Sequence, residues 1–248
     1  MSIAQRLDDV EIKITLAGEQ IERAMHDLKL ATDRPTWQIY FWEDVSQAVG
    51  GTPLLDLGLI LRARHKPDDP DDTTVKLRPS RRSQVSAEWL AFQKVGDREL
   101  KVEADWAGNR HKLAVSYTAD RPAGVVGGAG VDAHAVASVF HETQLVFLRE
   151  CLGYSVNLAE LTMLPPITAM RWKKTAAPDI LKVRAERWTV DHLDFLELSI
   201  VAPVDEAPAK QRALTEFVQS LDLTIKDDQE SKTEQVLLHL VETAIAAD

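Results

Sequence analysis

Short stretches of this chain place ionic side chains at every second position, the spacing that puts them on one face of a β-strand. The first is Asp9-Val10-Glu11-Ile12-Lys13. Downstream come Arg62 and Arg64, then Lys76 and Arg78, then Lys101, Glu103 and Asp105. Arg171 with Lys173, then Lys182, Arg184 and Glu186, and lastly Glu197 complete the series. These positions hold ten basic and six acidic residues in a chain whose net charge is -10, so acids elsewhere carry the negative balance. Arginines grip phosphate oxygens with paired N–H donors and lysines act as point charges, which makes Lys13, Arg62, Arg64, Lys76, Arg78, Arg171, Lys173 and Arg184 candidate substrate-binding residues. Asp9, Glu11, Glu103, Asp105, Glu186 and Glu197 carry the hard oxygen donors that Mg²⁺ and Mn²⁺ prefer. Phosphoanhydride cleavage needs both sets and a positioned water. Glu11 and Lys13 are the candidate catalytic pair, Glu11 through a metal that activates water and Lys13 through a phosphate contact or proton transfer.

Elements must exist to hold these residues. Period-2 alternation predicts strands at Val10–Leu16, Trp37–Asp44, Gly58–His65, Thr74–Pro79, Leu100–Ala107, Ile167–Lys174, Leu181–Val190 and Asp194–Val201. Lys112–Tyr117 is a further short candidate. Eight strands are an even number that an antiparallel sheet can close into a barrel, with first and last strands as neighbours and Glu11 near Glu197. Helical periodicity at Glu19–Leu30, Ala133–Leu152, Lys210–Leu221 and Ser231–Ala247 supplies helices for its outside. The expectation is one α+β domain over residues 1–248, with its core at about 8–222. If the ionic faces point outward they are a solvated surface. If they point inward, the apolar faces pack beneath the helices and the lumen becomes a charged tunnel. In the last helix Val236, Leu237, Leu240, Val241, Ala244 and Ile245 form an apolar stripe, expected to cover the barrel wall or a dimer partner and not to touch ligand. The Asp-rich run Pro67–Asp72 reads as a solvated hairpin tip, and the Gly-rich run 124–130 as a loop, since it lacks the Gly-Lys-Ser/Thr ending of a phosphate-binding loop.

Composition narrows the partners. A pI near 5.2 argues against a protein that coats nucleic acid, so any anion site is a local basic pocket. The one cysteine, Cys151, forms no disulfide within the chain and reads as a buried structural thiol. No apolar window is long enough to span a membrane and no leader pattern opens the chain, so a cytoplasmic monomer or homodimer is expected.

The ordered series resembles the CYTH superfamily, the triphosphate tunnel metalloenzymes, whose strands carry E-x-E-x-K, then R-x-R, K-x-R, later acidic and basic pairs, and a final E-x-E. The matching residues here are Asp9, Glu11 and Lys13; Arg62 and Arg64; Lys76 and Arg78; Glu103 and Asp105; Arg171 and Lys173; and Glu197. Asp9 replaces the first Glu, and Ser199 stands where the second Glu of the last pair would be. The resemblance implies a metal-dependent hydrolase of inorganic triphosphate, a nucleoside triphosphate or thiamine triphosphate. A non-catalytic polyphosphate- or nucleotide-binding module and an adenylate cyclase are the alternatives on the same scaffold.

Overall fold

The structure, a computed structural model, describes residues 6–81, 83–126, 136–226 and 228–247. Its strands are β1 (Asp9–Ala17), β2 (Trp37–Glu43), β3 (Leu59–His65), β4 (Asp71–Leu77), β5 (Lys94–Val95), β6 (Arg98–Ala107), β7 (Arg110–Arg121), β8 (Thr162–Met163), β9 (Ile167–Trp172), β10 (Arg184–Val190) and β11 (Leu193–Ala202). Nine of them close into a barrel in the order β1-β11-β10-β9-β2-β3-β4-β7-β6, with β6 returning to β1. The short strands β5 and β8 pair with β6 and β2 outside that ring.

This corrects the expected eight-stranded antiparallel barrel. The ninth strand is β7, of which only Lys112–Tyr117 was legible; the tight Gly108-Asn109 turn, with Gly108 at φ 56°, folds it back on β6. An odd ring cannot alternate direction all the way round, so one join must be parallel. That join is β1–β6, and every other neighbouring pair in the ring is antiparallel.

The alternation settles which face points inward. Val10, Ile12, Ile14 and Leu16 of β1 are at most 4% exposed, packed beneath helices α1 (Gln20–Asp27) and α6 (Ala207–Ser220). Each such side chain contributes about 1.5–3 kcal/mol on full burial. On the other side Leu61, Ala63, Val75 and Tyr117 pack under α5 (Glu142–Cys151), together with the buried Cys151. Short helices α2 (Pro53–Asp56), α3 (Ala87–Ala91) and α4 (Val136–Val139) fill the connections. The single helix expected from Ala133 divides because His141 caps α5, its ring accepting from Thr143 N while Gln144 closes the capping box. Residues 127–135, with most of the Gly-rich run and the start of that helix, lie outside the described residues.

The Asp-rich tip also differs. Asp71 and Asp72 are buried members of β4; Asp71 accepts from Val126 N and pairs with His65, and Asp72 pairs with Arg64 and Lys66. Among the described residues no helix is long and apolar enough to cross a membrane.

The last helix, α7 (Lys232–Ala247), packs most of its stripe against the end of the barrel and leaves Ile245 exposed. Val236, Leu237, Leu240 and Val241 cluster with Phe41, Ile60, Trp188 and Phe195, and the first three of these barrel residues also line the lumen. The helix thus closes one end of the barrel. Leu240→Ala should therefore lower unfolding free energy by about 2–5 kcal/mol in urea titrations. Ile245→Ala, on the exposed face of α7, should stay within about 0.5 kcal/mol of the parent.

Candidate functional site

The lumen is a cavity of about 450 Å³ whose wall is largely ionic. From β1 come Asp9, Glu11 and Lys13; from β3 Arg62 and Arg64; from the β4 end Lys76 and Arg78. Across it stand Glu103 and Asp105 of β6, Arg171 of β9, Arg184 and Glu186 of β10, and Glu197 of β11. Thirteen of the fourteen residues singled out from sequence therefore share one cavity. Lys173 does not: β9 ends at Trp172, the alternation stops, and Lys173 points to solvent. Arg184 is exposed and stands at the rim.

The inward charges fall into linked groups. Asp105 receives Lys76 Nζ at 2.9 Å, Arg78 Nη1 at 3.3 Å and Lys13 Nζ at 3.4 Å. Burial alone would raise its carboxyl, but Lys13, Lys76 and Arg78 hold it far below the usual carboxylate range. Lys13 also lies 2.7 Å from Glu11. Burial would depress its ammonium, yet Asp105, Glu11 and Glu197 hold it well above the usual lysine value. β1 and β11 are neighbours as expected, but the register sets Glu11 opposite Val201 and Glu197 opposite Thr15, with Lys13 and Ser199 between.

A second group contains a residue that the strand pattern did not find. Lys232, in the first turn of α7 and 5% exposed, reaches Glu186 at 3.1 Å and Glu197 at 3.3 Å, with its ammonium 4.2 Å from the Trp188 ring centre. Trp188 Nε1 donates to Glu186 Oε1 at 2.6 Å. Although burial opposes it, Lys232, Arg171 and Arg64 hold the Glu186 carboxyl well below its usual range. The chain leading into α7 is tied across the same end by Gln229, whose Oε1 accepts from Thr15 N at 2.8 Å, and by Arg110–Asp228 and Lys112–Glu234 ion pairs. The start of this helix therefore lines the lumen. A helical lysine carries no period-2 mark, which is why its role was not legible.

The third group is the most basic. Arg62, pushed down to about 10 by burial and by the charge of Arg64, has only a 3.2 Å contact to Thr74 Oγ1 through Nη2, and its Nε has no partner among the described residues. Arg64 is held by Asp72 through Nε at 2.8 and 3.0 Å. A half-buried guanidinium on a cavity wall with so few partners is suited to a phosphate oxygen.

Among the described residues no three carboxylate, histidine or cysteine side chains converge as a finished metal centre. The donor chemistry nonetheless fits Mg²⁺ or Mn²⁺ at the parallel join, where Asp9 faces Glu103 and Glu11 faces Asp105. Asp9 has no ion-pair partner among the described residues. Burial, Glu11 and Asp105 push the Glu103 carboxyl up, a repulsion that a cation between Asp9, Glu11 and Glu103 would relieve.

Lumen charges make stability depend on acid. Asp72, Asp105 and Glu186 have folded pKa values below their unfolded ones. The stability they contribute is complete above the unfolded carboxylate pKa of about 4 and lost as pH falls below it. Urea midpoints should therefore hold at neutral pH and drop steeply from about pH 4 downward. Lys232→Met should cost up to about 3 kcal/mol at pH 7, because it leaves the half-buried Glu186 and Glu197 without their shared ammonium.

Comparison with known proteins adds the fold to this geometry. No family model matches the chain, and no curated protein sequence does. Solved structures do. A Hippeastrum protein, described as an adenylyl cyclase candidate with dominant triphosphatase activity, superimposes with a TM-score of 0.57 at 11% identity, over 91% of this chain and 93% of its own. An adenylate cyclase candidate from Bacillus halodurans gives 0.54 at 12% identity, over 93% of this chain and 97% of its own. With its ionic strand faces turned to one lumen, the chain shares the fold of these two proteins, in line with the resemblance seen in its ordered strand motifs.

Proposed function

We propose that this protein binds the triphosphate group of a small molecule inside the barrel and cleaves a phosphoanhydride bond there with Mg²⁺ or Mn²⁺. The observation that supports this most is the convergence of Arg62, Arg64, Lys76, Arg78, Arg171 and Lys232 on one cavity in an acidic chain. Arg62, Arg64 and Arg171 grip phosphate oxygens. Lys13, beside Asp105 and Glu11, neutralises charge on the transferred phosphoryl group. The α7 plug and the tie through Gln229 limit water at the closed end. Asp9, Glu11 and Glu103 would hold a divalent ion, which when bound would help neutralise the phosphoryl oxygens and make water more acidic.

A second reading is a non-catalytic triphosphate-binding module. It is favoured by Ser199, which faces Lys13 across the β1–β11 ladder where the resembling family has an acid.

Phosphate release from inorganic triphosphate, ATP and thiamine triphosphate, with Mg²⁺ and with Mn²⁺, beside calorimetric binding of the same compounds, separates the readings. Turnover supports the hydrolase, and binding without turnover supports the module. Cyclic nucleotide as product would point instead to a cyclase. Arg64→Ala should weaken triphosphate binding by about 1.5–3 kcal/mol. Glu11→Gln, which keeps shape but removes charge, should abolish metal-dependent turnover while metal-free anion binding survives.

A further inference from the structure

Trp37, the first residue of β2, was not among the candidate residues and is half-buried. The register places it opposite Ala169 on β9, and it lies two residues from Ile39, which faces Arg64 on β3. Arg171 and Arg64 are thus its diagonal neighbours on the lumen face, one from each flanking strand, a separation that aromatic and long side chains bridge. The guanidinium carbon of Arg64 lies 5.6 Å from the Trp37 ring centre and that of Arg171 lies 5.8 Å from it. Both are within the range of cation–π attraction.

These arginines crowd Arg62, whose own charge both of them disfavour. Their acidic partners are unequal. Arg64 has two short contacts to Asp72, whereas Arg171 meets Glu186 only at 3.8 Å, and Glu186 is shared with Lys232. A neutral ring between two like charges attracts both without consuming the N–H donors that a phosphate needs. A carboxylate in the same place would occupy those donors.

We infer that Trp37 is a positioning residue, holding Arg64 and Arg171 as a preformed pair of phosphate-binding guanidinium groups. The inference rests on the proposed binding of triphosphate in the lumen. Without the ring each arginine must be ordered as the anion arrives, at a cost that appears as lost affinity.

The test is calorimetric titration of inorganic tripolyphosphate into the parent, Trp37→Leu, Trp37→Phe, Arg64→Met and Arg171→Met, and into Trp37→Leu combined in turn with each arginine substitution. Trp37→Leu should raise Kd about tenfold, equivalent to ~1.4 kcal/mol. Trp37→Phe, which keeps a ring face, should recover most of that loss. In either arginine variant the further loss on Trp37→Leu should shrink severalfold, because one of the groups it positions is gone. Equal losses in all backgrounds, or unchanged Kd in Trp37→Leu, would overturn the assignment while leaving lumen binding intact. Failure of the parent itself to bind tripolyphosphate would sink the proposed function instead. If Trp37→Leu does not fold, the same cycle run with Trp37→Phe decides the matter: coupling to the arginines supports the assignment, and strict additivity overturns it.

Discussion

The barrel depends on cancelling charge inside itself. An ion moved from water into a protein interior costs several kcal/mol even after relaxation, and only close opposite charges and hydrogen bonds offset that cost. Asp105 is the clearest case: Lys13 of β1, Lys76 of β4 and Arg78 just past the end of β4 meet one carboxylate. These bonds fix where β1 and β4 stand relative to β6, and they hold charged groups poised around an open volume. Glu186 does the same at the far wall, drawing Arg171 and the helical Lys232 toward it.

From that constraint the rest of the architecture follows. Because the ionic faces turn inward, the apolar faces of the strands turn outward and must be covered, which accounts for α1 and α6 on one side and α5 on the other. One end of the lumen is lined by Phe41, Ile60 and Trp188, and α7 fills it with Val236, Leu237 and Leu240. Its first turn carries Lys232, so a single helix provides both an apolar plug and a counter-charge for two acids. The opposite flank keeps an excess of guanidinium groups, and Arg62 there has a donor without a partner among the described residues. This uneven distribution is what the proposed anion binding draws on.

How much of this was legible depended on whether a residue's role was written in strand periodicity. Lys13, Arg62, Lys76 and Asp105 announce themselves because alternation fixes their face and the opposite face is uniformly apolar. β7 was only partly legible, since the middle of its lumen face runs through Ala114, Ser116 and Thr118 and its basic pair, Arg110 and Lys112, stands at its very start beside the turn. The parallel join followed from the strand count, so missing one strand hid it. Lys173 failed for a local reason, as the strand stops one residue before it. Lys232 and Trp37 were illegible because one lies on a helix and the other acts through neighbours that only the register reveals.

As proposed, the lumen charges form an anion site and are more than a scaffold. Urea unfolding with and without inorganic tripolyphosphate tests it most directly, because a ligand that binds only the folded chain must stabilise it. At a hundredfold excess over Kd the account predicts a gain of about 2.7 kcal/mol. An unfolding free energy that millimolar tripolyphosphate leaves unchanged, with and without Mg²⁺, would contradict it.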